Sequence, residues 1–186
     1  MTSPETPIKR ADARRNREKL LAAAVELFAT VGTDVSLDAI AKRACVGIGT
    51  LYRHFPTRDA LVEAAYRAEV THLCEAADEL LAAHPPDVAL AEWMERFVAY
   101  ATAKKGMKGA LQSVAAGSDL WGETRRQIIA AIAQLLDAGV AAGTLRSDVN
   151  ADDVWRAMGS VWSVDSEDQI RTLLRLLMDG LRHTSG

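Results

Sequence analysis

No apolar run in the 186-residue sequence approaches the roughly 20 residues that a membrane-spanning helix requires, so no transmembrane helix and no membrane partner are expected. Cysteine is scarce: Cys45 and Cys74 lie far apart, make neither a disulfide framework nor a CxxC motif, and are expected to stay reduced. Basic residues precede Leu20 to Val25, but that apolar stretch is short, Glu26 interrupts it and no cleavage site follows, so a signal peptide is not expected. These absences lead to the expectation of a soluble, cytoplasmic protein. Catalytic signatures are missing as well: there is no P-loop, GxSxG or HExxH. Gly47-Ile48-Gly49 starts like a dinucleotide loop, yet Tyr52 stands at the third glycine position and no strand precedes it. His72 and Cys74, two apart on a helical stretch, point away from each other, and His54, His84 and His183 have no partner at ligand spacing. No catalytic residue, no metal site and no cofactor is expected, and the chain does not read as an enzyme.

What is present is an ordinary globular composition, 49% apolar and 25% charged, with an uneven charge distribution. Up to Arg58 there are 10 Lys and Arg against 6 Asp and Glu, and beyond it 12 against 19, so a basic head precedes an acidic body. A polyanion such as DNA would be attracted to the first part and repelled by the second. Chance clustering on solvated helix faces would give the same count.

Helical periodicity dominates, and strands are almost absent. Leu20, Leu21, Ala24, Leu27, Phe28 and Val31 recur at three and four residues until Gly32 ends the run. Ser36 suits the N-cap of a short second helix containing Leu37, Ile40 and Ala41, with Asp38 in its first turn. A third runs from about Ile48 to His54, because Pro56 disfavours helical geometry at Phe55. Thr57 caps a long fourth helix, which His84-Pro85-Pro86 stops. Asp87 opens a fifth that Gly106 breaks, Met107 to Ala116 form a sixth, and a seventh runs to Gly139 or Gly143. Asn150 caps an eighth, and Ser166-Glu167-Asp168-Gln169 is a capping-box pattern opening the last. About nine helices and no long linker predict an all-α bundle, with a head over residues 1–58 and a body over 59–186.

Residues 36–55 are the most informative. Ile40, Ala41, Val46 and Leu51 have the spacing of the buried contacts in a helix-turn-helix, where a small residue such as Ala41 lets two helices cross closely. Thr50, Tyr52, Arg53 and His54 on the second of those helices, and Arg58 just after it, offer hydroxyls, an imidazole and guanidinium groups suited to phosphate oxygens and guanine edges. Gly47 and Gly49 remove side chains where that helix would meet a groove, and Ile48 has a methyl to set against a thymine methyl.

At these residues the sequence resembles the TetR family of transcriptional regulators. The family pattern stands here as Phe28-Ala29-Thr30-Val31-Gly32, Ile40-Ala41-Lys42-Arg43-Ala44-Cys45-Val46, Gly49-Thr50-Leu51-Tyr52-Arg53-His54-Phe55 and Arg58-Asp59-Ala60-Leu61, roughly the first third of the chain. Further on, Gly143-Thr144-Leu145-Arg146-Ser147-Asp148-Val149 resembles the loop many members carry before their eighth helix. The resemblance implies a three-helix DNA-binding head on a ligand-binding, dimerising body. It also implies that Thr50, Tyr52, His54 and Arg58 contact phosphates, that Gly47, Ile48 and Arg53 lie nearest the bases, and that Ser36 meets the DNA backbone. Two positions depart from the pattern: Cys45 replaces the usual turn glycine, which costs strain if its φ is positive, and Gly47-Ile48 replaces a common Ser-Lys pair. Without that lysine, binding would lean on Arg53, Arg58 and the N-terminal Lys9, Arg10, Arg14, Arg15 and Arg17, which equally fit a solvated first helix.

In the body, Trp93, Met94, Phe97, Tyr100, Met107, Leu111, Trp121 and Ile128 fall in the region that surrounds an effector cavity in the TetR family, although such a stripe also serves as plain core. A small hydrophobic or aromatic effector is expected, with Lys104, Lys105 and Lys108 solvated. Trp155, Met158, Val161 and Trp162, with Leu173, Leu174, Leu177, Met178 and Leu181, are more apolar bulk than one copy covers easily, so a homodimer with Trp155, Met158, Trp162, Leu174, Leu177, Met178 and Leu181 at its interface is expected. The reading is a sequence-specific DNA-binding regulator, a repressor released from a palindromic operator by a small ligand. The alternatives are a helical ligand-binding or interaction protein without operator binding, and a membrane-surface module using the basic first helix.

Overall fold

The computed structural model of the chain describes residues 7–116, 119–159, 164 and 166–182. Among them are nine helices: α1 (Pro7–Thr30), α2 (Leu37–Arg43), α3 (Ile48–His54), α4 (Arg58–Ala83), α5 (Pro86–Gly106), α6 (Lys108–Ala115), α7 (Leu120–Ala141), α8 (Ala151–Met158) and α9 (Glu167–Leu181). β-structure in the described residues is limited to one isolated bridge between Leu145 and Arg182. The fold is all-α, and no described helix is long and apolar enough to cross a membrane.

Local chemistry sets the helix ends. Ser36 accepts a hydrogen bond from the Ala39 N–H at 3.1 Å, Thr57 accepts from Ala60 N–H at 3.1 Å, and Ser166 accepts from Gln169 N–H at 3.4 Å. The reciprocal capping box closes at Asn150, where Asp153 N–H donates to the Asn150 side chain and the Asp153 carboxylate accepts from Asn150 N–H. Pro86 is the first residue of α5, where its missing N–H has no intrahelical acceptor to serve. At the end of α7, Gly143 takes φ 70 while its N–H donates to Val140 and the Thr144 N–H to Gly139, a Schellman closure.

The chain forms two compact units. The first comprises residues up to Ala68 together with Ala103–Ser118; the second comprises Glu69–Thr102 and the chain from Asp119 onward. The units therefore do not divide at residue 58: α4 is one continuous helix, and its Leu61, Val62, Ala65 and Tyr66 are buried within the first unit.

In the first unit, Leu20, Ala24 and Phe28 of α1 are fully buried, as are Ile40 of α2 and Leu51 of α3. Gly106, at the end of α5, lies directly against α1: a Cβ there would stand 2.5 Å from the Phe28 carbonyl oxygen and 3.1 Å from Ala29 Cα. Its sequence role as a helix breaker is thus joined by a packing role, since no larger residue fits without moving backbone.

In the second unit, Leu90, Trp93 and Phe97 of α5 and Leu120, Ile128, Ile132 and Leu135 of α7 have no exposure, and Val154, Met158, Ile170, Leu174, Met178 and Leu181 complete the core. The Trp93 indole N–H donates to the Leu73 carbonyl at 2.7 Å, tying α5 to α4. The loop before α8 is fastened to the end of α9, because Arg146 N–H donates to Leu181 O at 2.9 Å and the Arg146 guanidinium reaches Gly180 O. The same guanidinium, hydrogen-bonded to Asp148, holds that carboxyl down at about 2.

Candidate nucleic-acid interface

The geometry of α2 and α3 follows from the turn between them. Ala44 is the C-cap of α2 and Cys45 takes φ 54, with Cys45 N–H donating to Lys42 O at 3.0 Å and Val46 N–H to Ala41 O at 2.9 Å. This is the same Schellman closure that Gly143 completes after α7, with an L-side chain in the left-handed position. The strain expected at Cys45 is present. Cys45→Gly is therefore expected to stabilise the protein by about 0.5–1 kcal/mol, the left-handed penalty of about 1–2 kcal/mol less the larger unfolded-state entropy of glycine. Urea unfolding monitored by circular dichroism reads this directly, and a lower midpoint would show that the thiol makes compensating contacts.

Helix α3 is short and is anchored by one side chain. Leu51 is its buried residue, while Ile48 and Tyr52 are 39% and 51% exposed. Gly47 is the N-cap without a side-chain cap, and beyond the adjoining backbone nothing lies within 4 Å of where a Cβ would sit on Gly47 or Gly49, so the first turn presents bare backbone to open space. Arg53 is exposed and donates from Nη2 to Thr50 Oγ1 at 2.8 Å, which orients it along the open face while leaving its charge unneutralised. His54 is half-buried, its ring 6.2 Å from that of Phe55, and Phe55 closes the helix in an extended conformation before Pro56. Ser36 is exposed; its oxygen caps α2 and its hydroxyl proton is left to donate.

Several cations of the head are engaged inside the chain. Arg14 pairs with Glu18, Arg15 with Asp12, Lys42 with Asp38 at 2.7 Å and Arg43 with Glu26 at 2.8 Å. The Arg17 guanidinium lies over the Phe55 ring at 5.4 Å. Arg58, expected to reach phosphate, is half-buried and donates from Nη1 to Thr33 O at 2.5 Å and from Nη2 to Val35 O at 2.7 Å. Lys9 and Arg10 fall in α1, but their side chains lie outside the described residues.

The body residues are distributed over both units. Trp93, Met94, Phe97, Tyr100 and Ile128 are buried in the second unit, Met107 and Leu111 in the first, and Trp121 is 41% exposed at the start of α7. The Trp93, Phe97 and Tyr100 rings follow one another at 6.1 and 5.5 Å. Met94 also borders a groove of about 380 Å³ with Val88, Leu174 and Met178, edged by Glu92 and Arg175. Lys108 is exposed, but Lys104 and Lys105 are half-buried rather than solvated, and burial lowers Lys104 to about 8. The reason is that residues 103–116 belong to the first compact unit, where Ala103, Met107 and Leu111 are buried. Cys74 is half-buried and burial pushes its thiol up to about 11, which removes thiolate character at neutral pH.

Of the residues expected at a dimer interface, Met158, Leu174, Met178 and Leu181 are buried within the single chain, Trp155 and Leu177 are half-buried, and Trp162 lies outside the described residues. The apolar surface that α9 leaves open comprises the expected Leu177 together with Leu173 and Leu176, with Leu176 65% exposed.

Two short helices joined by a tight turn, braced by α1 and with the second helix exposed, define a helix-turn-helix DNA-binding protein. A family model described as "Bacterial regulatory proteins, tetR family" matches residues 20–65, and one described as "Transcriptional regulator SbtR-like, C-terminal domain" matches residues 85–183, more than half of the chain. The structure is similar to that of a TetR transcriptional regulator from Streptomyces coelicolor, with 48% identity, a TM-score of 0.82, and coverage of 91% of this chain and 99% of that one. It is also similar to a TetR transcription regulatory protein from Mycobacterium vanbaalenii, with 38% identity, a TM-score of 0.78, and coverage of 94% and 99%. HTH-type transcriptional regulators of Staphylococcus aureus are 42% identical over 53 residues, an alignment spanning 28% of this chain and only 29% of theirs. The chain belongs to the TetR family of DNA-binding transcriptional regulators.

Proposed function

We propose that the protein is a ligand-responsive repressor that binds a palindromic operator as a homodimer. The observation that carries this reading is the division of α3, in which Leu51 is buried while Ile48, Tyr52 and Arg53 are open. A helix anchored on one side and bare at its first turn suits the major groove. In this reading Ile48 meets a thymine methyl, Arg53 reads guanine, the backbone at Gly47 approaches base edges, and Ser36, Thr50, Tyr52 and His54 serve phosphates. The open Leu173, Leu176 and Leu177 face of α9, with Trp155 of α8, supports pairing with a second copy, which would set two α3 helices one DNA turn or a multiple apart. The largely apolar groove of about 380 Å³ bordered by Val88, Met94, Leu174 and Met178 supports a small hydrophobic or aromatic effector. Because α4 contributes to both compact units, an effector that prefers one arrangement of the body would shift the heads between binding and non-binding spacings.

Selection of bound sequences from a random duplex pool tests the reading. An enriched inverted repeat is expected. On that duplex, Arg53→Ala should relax preference at one base pair per half-site at a cost of about 1–3 kcal/mol, whereas Tyr52→Ala should weaken all duplexes alike. A folded protein that enriches nothing would favour a helical ligand-binding or interaction protein.

A further inference from the structure

Arg58 opens α4, and its side chain turns back onto the segment connecting α1 to α2. Gly32 takes φ 91 to start that segment, and the Val35 N–H reaches back to Gly32 O at 3.4 Å. The Val35 side chain is buried, and the next residue, Ser36, caps α2. The two terminal nitrogens of Arg58 are placed on the Thr33 and Val35 carbonyls at 2.5 and 2.7 Å. A planar guanidinium has the fork needed to span two carbonyls two residues apart; an ammonium group is a point donor and does not reproduce it. Reaching a phosphate would require withdrawing both bonds from a half-buried position.

We infer that Arg58 is a positioning residue for DNA binding rather than a phosphate contact: it clasps the α1–α2 turn to the first turn of α4 and so holds the N-terminus of α2, with Ser36, in register with the head. The inference rests on DNA binding by this head. Its consequence is mechanical, since the first turn of α4 and the cap of α2 move as one body. Arg17 and Arg53, whose described partners are an aromatic ring and a hydroxyl, keep the charge that a phosphate would see.

The test uses the full chain with Arg58→Lys and Arg58→Ala, read in two ways. The first is amide hydrogen exchange in the free protein. Both variants should exchange faster at Ala39 and Ile40, the amides bonded to Ser36, while Phe28 and the middle of α1 keep their protection. The second is a salt titration of binding to the selected duplex. Both variants should lose on the order of tenfold in affinity at every salt concentration with an unchanged slope, because no counterion-releasing contact has gone. If Arg58→Lys binds like the parent, or if Arg58→Ala lowers the slope by about 0.9, Arg58 is a phosphate contact and the clasp is overturned. Unchanged exchange at Ala39 and Ile40 overturns it as well. Should Arg58→Ala not fold, Arg58→Lys carries both readings. If the parent chain binds no duplex at all, the DNA-binding reading fails by itself, and the exchange experiment still decides whether the clasp exists.

Discussion

Replacing Leu51 with alanine is expected to destabilise the head by about 2–5 kcal/mol and to abolish binding to duplex DNA. Helix α3 has seven residues, far below the length at which a helix is stable alone, and its N-cap Gly47 supplies no side-chain cap. Its place in the fold depends on one fully buried side chain, Leu51, packed in a unit whose neighbouring elements bury Leu20, Phe28 and Ile40. Truncation leaves a cavity beneath the helix and removes what holds the exposed Ile48, Tyr52 and Arg53 at a fixed depth. Tyr52→Ala is the control: one residue away and 51% exposed, it should leave the urea midpoint nearly unchanged while weakening DNA binding. If Leu51→Ala unfolds within about 0.5 kcal/mol of the parent, α3 is held by contacts other than this anchor.

The parts of the fold legible in the sequence are those fixed by near neighbours. Helix ends at Gly32, Ser36, Thr57, Pro86 and Asn150 depend on dihedral preference or on a hydroxyl or amide three residues from its partner, and the structure follows them closely. The positive φ of Cys45 entered differently, as a condition raised by the glycine that the resembled family carries there, and the structure meets that condition with a Schellman turn that fixes the hand of one residue whatever occupies it. The exposed face of α3 was legible for a related reason: with Leu51 assigned inward, helical geometry sends Tyr52 and Arg53 elsewhere.

Through-space partners were not legible in this way. Arg58 finds its acceptors 23 and 25 residues earlier, and any cation after a helix-turn-helix reads as a phosphate ligand until those carbonyls are located. Gly106 looks like a breaker, and only the Phe28 carbonyl beside it reveals a close approach. Helix α9 shows the limit of periodicity. It is apolar on more than one face, with Ile170, Leu174 and Met178 at intervals of four and Leu173, Leu176 and Leu177 between them. Spacing alone does not say which stripe packs on its own chain, so part of the core was read as interface.

Trp93→Ala is expected to cost about 3–5 kcal/mol, a fall of roughly 6–20 °C in Tm for a chain of this size. Trp93 has no exposure, its indole N–H donates to Leu73 O at 2.7 Å, and its ring lies 6.1 Å from that of Phe97. Trp93→Phe keeps most of the apolar area and removes the donor, so it should cost only about 1–2 kcal/mol, which separates packing from hydrogen bonding. The pair also bears on the effector. If Trp93 is surrounded by packed side chains, truncation loses contacts on every side and the full penalty appears. If its ring forms the wall of a space kept for a ligand, contacts are already missing on one side and the loss falls toward the transfer free energy alone. Adding indole to Trp93→Ala reports whether the vacated space stays open: a dry apolar cavity of the right shape should bind it and recover stability in proportion to RT ln(1 + [L]/Kd), whereas a core that has collapsed into the space should not.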